Sequence, residues 1–219
     1  MVTVATTRTE EYLESIFKLE QDTGTVSVSR LAKHLGLSVP SASEMAKKLK
    51  AHQLISTKGK KVFLTPKGTL AASKIVRRHR LIERLLTDKL GVSWEQVHEE
   101  ACRLEHGVSE VVETKLAEYL GDPESCPHGH PIPDAKGEIK DRAGTPLSSL
   151  EPGQSGEIAE VPEEDREVLK YLRELGLKPG ASINLEEQAP FDGPLLVAVG
   201  SRRHAISRKI ADQVRIVLQ

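Results

Sequence analysis

The order of the predicted elements in the first 65 residues restricts the fold more than any other feature of this 219-residue chain. Apolar side chains recur with helical spacing at Tyr12, Ile16 and Leu19, which predicts an amphipathic helix. Two more helices follow across a tight turn, and two short apolar runs around a Gly-containing turn predict a hairpin. The predicted helices span 9–20, 28–35 and 40–50, and the predicted strands span 54–56 and 62–65. Helix, helix, turn, helix and hairpin is the order of a winged helix-turn-helix.

The charge of the chain is strongly segregated, although its net value is only −1. Between Ser29 and Arg80 there are 13 Lys and Arg residues and one acid, Glu44, so this window carries a net charge of +12. A local excess of this size indicates a polyanionic partner, and nucleic acid is our prediction. Two alternatives stay open: the basic face is merely solvated, or the winged helix-turn-helix is a protein-interaction module.

The third predicted helix is the element that we expect to enter the major groove of DNA. Its first turn carries small hydroxyl side chains, which allow a close approach to base edges and thymine methyl groups. Lysines farther along the helix and in the wing are placed to meet phosphates. Because the reading end has few Arg or Asn side chains, we expect modest direct readout and appreciable shape readout. The candidate DNA-binding residues are Ser38, Pro40, Ser41, Ser43, Glu44, Lys47, Lys48 and Lys60.

The remainder of the chain is first helical and then rich in short strands. Helical periodicity covers residues 66–90, 93–107 and 109–119, and the second of these helices has capping-box spacing from Ser93 to Gln96. After a segment with four prolines, short apolar runs alternate with turns around one helix at 163–175, which predicts a small SH3-like β-barrel. The predicted fold class is mainly α with a C-terminal β part. Its domains are a winged helix-turn-helix over 1–65, a helical domain over 66–120, a Pro-rich linker over 121–146 and an SH3-like barrel over 147–219.

Composition disfavours several classes of protein. No run approaches the ~18 consecutive apolar residues of a membrane span, and the first residues lack the basic start and apolar block of a signal peptide. The two cysteines, Cys102 and Cys126, form no CxxC pair and cannot build a disulfide framework. With 38% hydrophobic and 29% charged residues, the chain has the balance of a globular protein. We therefore expect a cytoplasmic protein with reduced thiols and no membrane partner.

Histidine, carboxylate and cysteine side chains recur at helical spacing in the two helices after the hairpin. Two of them lie one turn apart on the first helix, and four follow on the second, where three have i, i+3, i+4 spacing and converge. Imidazole, thiolate and carboxylate together are ligands for divalent transition metals. The alternative is that the first histidine is one more basic residue and the cysteine a core thiol. The candidate ligands are His79, Glu83, His98, Cys102, Glu105 and His106, and no HExxH motif of a zinc protease is present.

The segments that carry these ligands resemble the diphtheria toxin repressor / iron-dependent regulator family of metal-dependent transcriptional regulators. The resemblance is strongest in residues 79–86, HRLIERLL, and 97–106, VHEEACRLEH. It extends to residues 9–13, 38–43 and 129–133, and it is loose over the last 70 residues. The family includes manganese-responsive members.

The resemblance implies two metal sites. An ancillary site would combine both helices with acids of the barrel, and an activating site would join the second helix to the first helix of the chain. In the iron regulators the first-helix ligand is a methionine, whereas the matching residue here is Glu11, a carboxylate as in manganese members. The implied ancillary ligands are His79, Glu83, His98, Glu164 and Glu167, with Asp165 as a neighbouring candidate. The implied activating ligands are Glu11, Cys102, Glu105 and His106.

The function implied by the resemblance is metal-dependent repression of metal-uptake and homeostasis genes. A homodimer, formed through the helical domain 66–120, would bind double-stranded palindromic operator DNA when it is loaded with metal. The oxygen ligand of Glu11 favours Mn²⁺ and the thiolate of Cys102 favours softer ions, so we expect Mn²⁺, with Fe²⁺ as the close alternative. We expect no enzymatic activity and no small organic substrate.

The segment Cys126-Pro127-His128-Gly129-His130 offers a further possible metal site. Its prolines favour a strained, exposed loop, and the family pattern assigns it no ligand role. The expectation is therefore an exposed loop without metal.

Three rival functions stay open at this point. A catalytic metal site would need an open coordination position and a substrate cleft, and the sequence has no nucleophile or phosphate-loop motif. A DNA-binding protein could use a purely structural zinc ion. A regulator of a different effector could use the barrel to bind a Pro-rich segment, such as its own linker.

Overall fold

The structure is a computed structural model that describes residues 6–140 and 144–219. The first five residues of the predicted DNA-binding domain and residues 141–143 of the predicted linker lie outside the described part. The helices are α1 Thr7–Thr23, α2 Val28–His34, α3 Val39–Ala51, α4 Pro66–Asp88, α5 Val97–Leu104, α6 Glu110–Leu120, α7 Arg166–Leu175 and α8 Arg208–Ala211. The strands are β1 Val26–Ser27, β2 Ile55–Lys58, β3 Lys61–Leu64, β4 Thr145–Pro146, β5 Ser155–Glu160, β6 Ser182–Gln188, β7 Leu195–Val199, β8 Arg202–Ile206 and β9 Arg215–Leu218.

Two compact units make up the described residues. The first contains residues 6–79, 104–109 and 133–139, and the second contains residues 80–103, 110–132, 140 and 144–219. The boundary between the two units lies within α4, directly after His79. No helix among the described residues has the length and apolar character that crossing a bilayer requires.

The first unit has the predicted order of a winged helix-turn-helix. Its antiparallel sheet has the strand order β1-β3-β2, and Lys58 pairs with Lys61 at the tip of the wing. Tyr12, Ile16 and Leu19 are buried in its core, as the helical spacing predicts. Strand β1 has only two residues, which is too short for a periodicity to reveal it.

Helix α3 begins where the sequence predicts. The Ser38 hydroxyl accepts a hydrogen bond from the Ser41 N–H at 3.2 Å, which satisfies one of the donors left open in the first turn. Pro40 lies in that turn, where its missing N–H costs nothing.

The second unit contains a six-stranded sheet with the order β4-β9-β5-β6-β7-β8. The strand pairings of this sheet are antiparallel, and helix α7 buries Leu169 and Leu172 in the same core as the inward side chains of the strands. The fold class, mainly α with a C-terminal β part, is confirmed. Strand β8 was absent from the prediction because its sequence, Arg-Arg-His-Ala-Ile, buries only Ile206 and so contains no apolar run.

The predicted capping box at Ser93 is wrong. The Ser93 hydroxyl donates to the Gln96 side-chain oxygen at 2.7 Å, so it does not cap a backbone N–H. Residues 94–96 form a turn, and α5 begins at Val97.

The segment 121–140 is irregular, as the prolines predict, but the expectation of an exposed loop is wrong. Cys126 is 1% exposed and His128 is wholly buried. Arginines of α4 hold the segment by its backbone: Arg84 donates to the Ser125 carbonyl at 2.7 Å, and Arg80 donates to the Pro131 carbonyl at 2.6 Å. These contacts carry the loop into the interior of the second unit.

Candidate metal centres and nucleic-acid interface

The candidate reading surface is exposed on the first unit. Within it, Ser38, Pro40, Ser41, Glu44, Lys47, Lys48 and Lys60 are exposed, and Ser43 is half-buried. Lys48 lies 3.0 Å from Glu44, so this lysine is partly neutralised within the helix. The sequence reasoning missed Val39, which is 47% exposed between Ser38 and Pro40 and suits contact with a thymine methyl group.

A hydrogen bond supports the position of the wing beside the reading helix. The Lys50 ammonium donates to the Thr57 hydroxyl at 2.9 Å, which connects α3 to β2. The lysines of the wing tip and those of α3 therefore belong to one basic region.

The first buried group of possible metal ligands lies in the first unit, and we call it the His79 cluster: Glu14, His79 and Glu105. One ligand atom of each residue lies within 4.8 Å of the others, and all three residues are buried. The Nδ1 atom of His79 is 2.6 Å from Oε2 of Glu105 and 3.9 Å from Oε1 of Glu14. The cluster joins α1, α4 and the short 3₁₀ helix Glu105–Gly107.

Neighbouring side chains hold the 3₁₀ helix in place. Arg78 donates to the carbonyl oxygens of Glu105 and Val108 at 3.4 and 3.3 Å, and to Oε1 of Glu10 at 3.3 Å. His106 bonds Oε2 of Glu10 through Nδ1 at 2.7 Å, and its Nε2 lies 3.3 Å from Oε1 of Glu105. Glu10 therefore gives α1 a second connection to this segment.

Burial dominates the electrostatics of the His79 cluster. Desolvation raises the pKa of Glu105, and the negative charge of Glu14 raises it further. The hydrogen bond from His79, its charge and the charge of Lys18 oppose this rise. Two carboxylates in a buried place favour an additional positive charge.

The second buried group lies in the second unit, and we call it the His128 cluster: Glu83, Cys126, His128 and Glu163. One ligand atom of each lies within 4.8 Å of the others. The Nδ1 atom of His128 is 3.5 Å from Oε1 of Glu83. Its Nε2 donates to the Trp94 carbonyl at 2.9 Å, because a carbonyl oxygen can only accept. In the neutral ring Nδ1 then keeps its lone pair towards the cluster, the arrangement typical of metal-binding histidines.

The charges around the His128 cluster also favour a cation. Burial and the nearby carboxylates of Glu83 and Glu163 hold the pKa of the Cys126 thiol well above its usual range. Burial alone would lower the pKa of His128, but Glu83, the Trp94 carbonyl and the charge of Glu163 together outweigh it, and the pKa is raised. A thiol, an imidazole and two carboxylates form a suitable donor set for a divalent transition metal.

Further contacts of the second unit fix the walls of the His128 cluster. The rings of Trp94 and His128 lie 5.4 Å apart. Trp94 donates through Nε1 to the Pro127 carbonyl at 3.1 Å. His130 donates to the Val161 carbonyl at 2.9 Å, and its Nε2 is 3.5 Å from Oε2 of Glu163.

Two of the predicted ancillary ligands, His79 and Glu83, belong to different clusters. His79 contacts Glu105 in the first unit, whereas Glu83 contacts His128 in the second. His98 stays close to Glu83, with 3.4 Å between Nδ1 and Oε1. Glu164 and Glu167 are exposed, and the buried acid of this segment is Glu163, one residue earlier.

Two of the predicted activating ligands, Glu105 and His106, lie close together, with 3.3 Å between Oε1 of Glu105 and Nε2 of His106. Glu105 belongs to the His79 cluster, and His106 contacts Glu10. Glu11 is exposed and lines a surface pocket with Tyr12 and Met45. Cys102 is half-buried, and its Sγ lies 3.8 Å from Nε2 of His98.

The sequence reasoning missed several cluster members. Glu14 is an acid inside the continuously buried stretch of α1, and this unusual placement is the signal that could have identified it. The Cys-x-His spacing of Cys126 and His128 is a sequence signal for this cluster, although the prolines beside it favour an exposed loop. No local spacing points to Glu163, because it approaches the cluster from another part of the second unit.

Models of known protein families match three parts of the chain. "Iron dependent repressor, N-terminal DNA binding domain" matches residues 5–62, and "Iron dependent repressor, metal binding and dimerisation domain" matches residues 65–134. The FeoA domain, an SH3-like sheet domain, matches residues 145–218.

Related proteins and solved structures cover nearly the whole chain. The iron-dependent repressor IdeR of Mycobacterium leprae is 32% identical over 221 residues, which cover 95% of this chain and 96% of that protein. The diphtheria toxin repressor of Corynebacterium diphtheriae is 39% identical over 126 residues, 57% of this chain and 56% of that one. A manganese-dependent transcriptional repressor in complex with manganese has a TM-score of 0.91 at 31% identity, covering 96% of this chain and 99% of that one. The IdeR of T. acidophilum has a TM-score of 0.83 at 30% identity, covering 96% and 97%.

Proposed function

Since this chain belongs to the iron-dependent repressor family of metal-dependent transcriptional repressors, we propose that it represses metal-uptake and homeostasis genes as a dimer on palindromic operators when Mn²⁺ or Fe²⁺ is bound. Members of this family bind operator DNA and dimerise, and they are not enzymes. We expect this chain to act in the cytoplasm, where its DNA target lies, and to have no catalytic activity and no small organic substrate.

The observation that carries the proposal is the pair of buried donor sets in a chain that also exposes a basic reading surface. The His79 cluster would hold one ion through Glu14, His79 and Glu105. The His128 cluster would hold another through Glu83, Cys126, His128 and Glu163. A bound divalent ion supplies a double positive charge that draws buried carboxylates together. Glu11, Cys102, Glu164 and Glu167 stay predictions from the sequence.

Helix α1 would connect metal binding at the His79 cluster to the reading helix α3. Its buried side chains Leu13 and Ile16 pack in the same core as Leu31 of α2 and Leu49 of α3, so α1 moves with the reading helix. Glu14 and Glu10, on the same helix, contact His79 and His106. Ligand contacts at Glu14 therefore restrict how the reading elements sit against α4 and the 3₁₀ helix.

The metal identity follows from the donor atoms. The His79 cluster offers two carboxylates and one imidazole, which suit Mn²⁺. The thiol of the His128 cluster favours a softer ion such as Fe²⁺ or Zn²⁺. We propose Mn²⁺ as the activating ion, with Fe²⁺ as the close alternative.

An apolar helix surface in the second unit is the proposed dimer interface. Val111, Val112 and Tyr119 of α6 are 74%, 52% and 66% exposed, and Leu90 after α4 is 65% exposed. Contiguous exposed apolar side chains commonly mark an interface. A symmetric dimer through this surface would present two α3 helices, and a palindromic operator requires them about one DNA turn apart, ~34 Å.

The test is an electrophoretic mobility shift titration on a candidate palindromic operator. Mn²⁺, Fe²⁺ under anaerobic conditions, Zn²⁺ and excess chelator are compared at constant salt, because DNA affinity depends on salt. Allosteric coupling of the usual size predicts roughly a 5–150-fold gain in DNA affinity with Mn²⁺. Equal DNA affinity with Mn²⁺ and with chelator would refute the proposal. Circular dichroism of the chelated protein separates a switch from a purely structural metal, whose removal unfolds the chain.

A further inference from the structure

Lys18, a buried lysine of α1, contacts the His79 cluster. The Lys18 side chain is 9% exposed, and its ammonium lies 3.0 Å from Oε1 of Glu14. Lysine is rarely buried unless it is paired, because desolvating a charge is costly. Because Lys18 lies one helical turn after Glu14, its positive charge is close to the proposed metal ligands.

We propose that Lys18 is a tethered cation that neutralises the ligand carboxylates of the His79 cluster in the metal-free protein and competes with the divalent metal for them. This inference rests on the proposed function, because it assumes that the His79 cluster is a metal site. It assigns Lys18 a role in setting the metal concentration at which the protein responds.

The first step of the argument concerns the metal-free state. Glu14 and Glu105 are 7% and 2% exposed, and each lies close to the same imidazole. Two buried carboxylates repel one another, and a neighbouring positive charge offsets that repulsion. The influence of Lys18 extends beyond Glu14, since its charge also lowers the pKa of Glu105. Lys18 thus offsets the repulsion between the two carboxylates in the metal-free protein.

The second step concerns metal binding. A ligand oxygen of Glu14 that is paired with an ammonium at 3.0 Å must weaken that pair before it can serve a metal ion. A unit positive charge that remains nearby also repels a divalent cation, and the repulsion is strong where water is scarce. Both effects lower the metal affinity of the cluster relative to the same ligands without Lys18.

The flexibility of the lysine makes the competition reversible. A lysine side chain is a point charge on a four-carbon stem, so its ammonium can turn away from Glu14 without backbone movement. The pair with Glu14 is replaced by metal when metal is abundant and re-forms when metal is removed.

The test measures metal affinity and metal-free stability in full-length protein. Lys18→Met keeps the length of the side chain and removes its charge. Total Mn²⁺ binding is measured from the electron paramagnetic resonance signal of free Mn²⁺. Filling of the His128 cluster is followed separately by fluorescence of Trp94, the single tryptophan, whose ring lies 5.4 Å from that of His128. The difference between the two titrations isolates the His79 cluster.

We expect Lys18→Met to tighten Mn²⁺ binding at the His79 cluster about tenfold or more, since a nearby unit charge is removed. Its thermal midpoint in chelator should fall below that of the wild type. Lys18→Arg, which keeps the charge, should stay within about threefold of the wild-type affinity. Lys33→Met removes an exposed lysine of α2 and should change neither quantity.

Unchanged or weaker Mn²⁺ binding by Lys18→Met overturns the inference while leaving the proposed function intact. If Lys18→Met does not fold in chelator, the Mn²⁺ affinity of Lys18→Gln is measured instead. The glutamine amide can hydrogen-bond Glu14 but carries no charge. A wild-type protein that binds no Mn²⁺ at the His79 cluster overturns the inference and the proposed function together.

Discussion

The two buried clusters use similar ligands in different surroundings. In the His79 cluster the neighbouring cation is Lys18, a flexible side chain whose ammonium contacts Glu14. Near the His128 cluster the neighbouring cation is Arg80, which lies 3.9 Å from Glu163 and donates to the Pro131 carbonyl at 2.6 Å. Arg80 is therefore anchored to the backbone, whereas Lys18 can leave its acid.

The elements that supply the ligands differ as well. The His79 cluster takes Glu14 from α1, the helix that packs with the reading helix. The His128 cluster takes His128 from a loop whose imidazole is fixed by the Trp94 carbonyl. The comparison teaches that the position of a donor set matters as much as its composition: under the proposed function, metal in the His79 cluster would act on the reading helix, and metal in the His128 cluster would stabilise the second unit.

The largest expected effect is that of replacing Glu105, a proposed metal ligand in the His79 cluster. Glu105→Gln should remove most of the Mn²⁺-dependent gain in operator affinity, a gain of roughly 5–150-fold in the wild type. The metal-free fold should persist, because glutamine can still hydrogen-bond His79. The measurement is a mobility shift titration with Mn²⁺, and Glu99→Gln on the exposed side of α5 is the matched control. Normal Mn²⁺-dependent DNA binding by Glu105→Gln would remove the His79 cluster from the switch.

The next effect decides which carboxylate of α1 serves the metal. Glu14→Gln should weaken Mn²⁺ binding at least ~10-fold, the lower end of losses at metal-supporting residues, because Glu14 is buried beside His79. Glu11→Gln should have the smaller effect, since Glu11 is exposed. Equilibrium dialysis of both variants provides the comparison. An equal or larger loss in Glu11→Gln would restore the ligand that the sequence resemblance implies.

A smaller effect on DNA binding is expected from the thiol of the other cluster. Cys126→Ser should weaken Zn²⁺ and Fe²⁺ binding at the His128 cluster by about 10–100-fold, because thiolate is the soft ligand there. Trp94 fluorescence measures this change directly. The Mn²⁺-dependent gain in operator affinity should change less than it does in Glu105→Gln. A complete loss of that gain in folded Cys126→Ser would show that both clusters control the reading elements.

The smallest effect concerns an acid of α1 outside both clusters. Burial raises the pKa of Glu20, although the Leu64 N–H, which donates to its carboxylate at 3.1 Å, opposes the rise. A raised carboxyl pKa means that the folded state favours the protonated form, so the charge costs stability as pH rises above the unfolded value. Glu20→Gln should therefore raise the thermal midpoint at pH 7 by roughly 1–2 °C. Near pH 3 the two proteins should unfold together, and a midpoint difference that grows in acid would contradict this sign.

Local patterns were enough to predict the winged helix-turn-helix. The caps and apolar spacings of α1 to α3 depend on residues three or four positions apart, which helix geometry brings together in any context. Ser38 caps α3 through the N–H of Ser41, three positions away. The Ser93 prediction failed because the same local pattern also permits a side-chain bond between Ser93 and Gln96.

The candidate metal-binding residues and the helices that carry them were predicted from the sequence, but the His79 and His128 clusters were not. The i, i+4 spacing of His79 and Glu83 puts both on one face of α4, and one helical turn between them is enough for each to serve a different cluster. His79 contacts Glu105, 26 residues away, and Glu83 contacts His128, 45 residues away. Helix periodicity determined which side chains share a face. The packing of distant segments, above all the buried loop that carries Cys126 and His128, decided which of them meet, because contacts across such separations depend on the whole core.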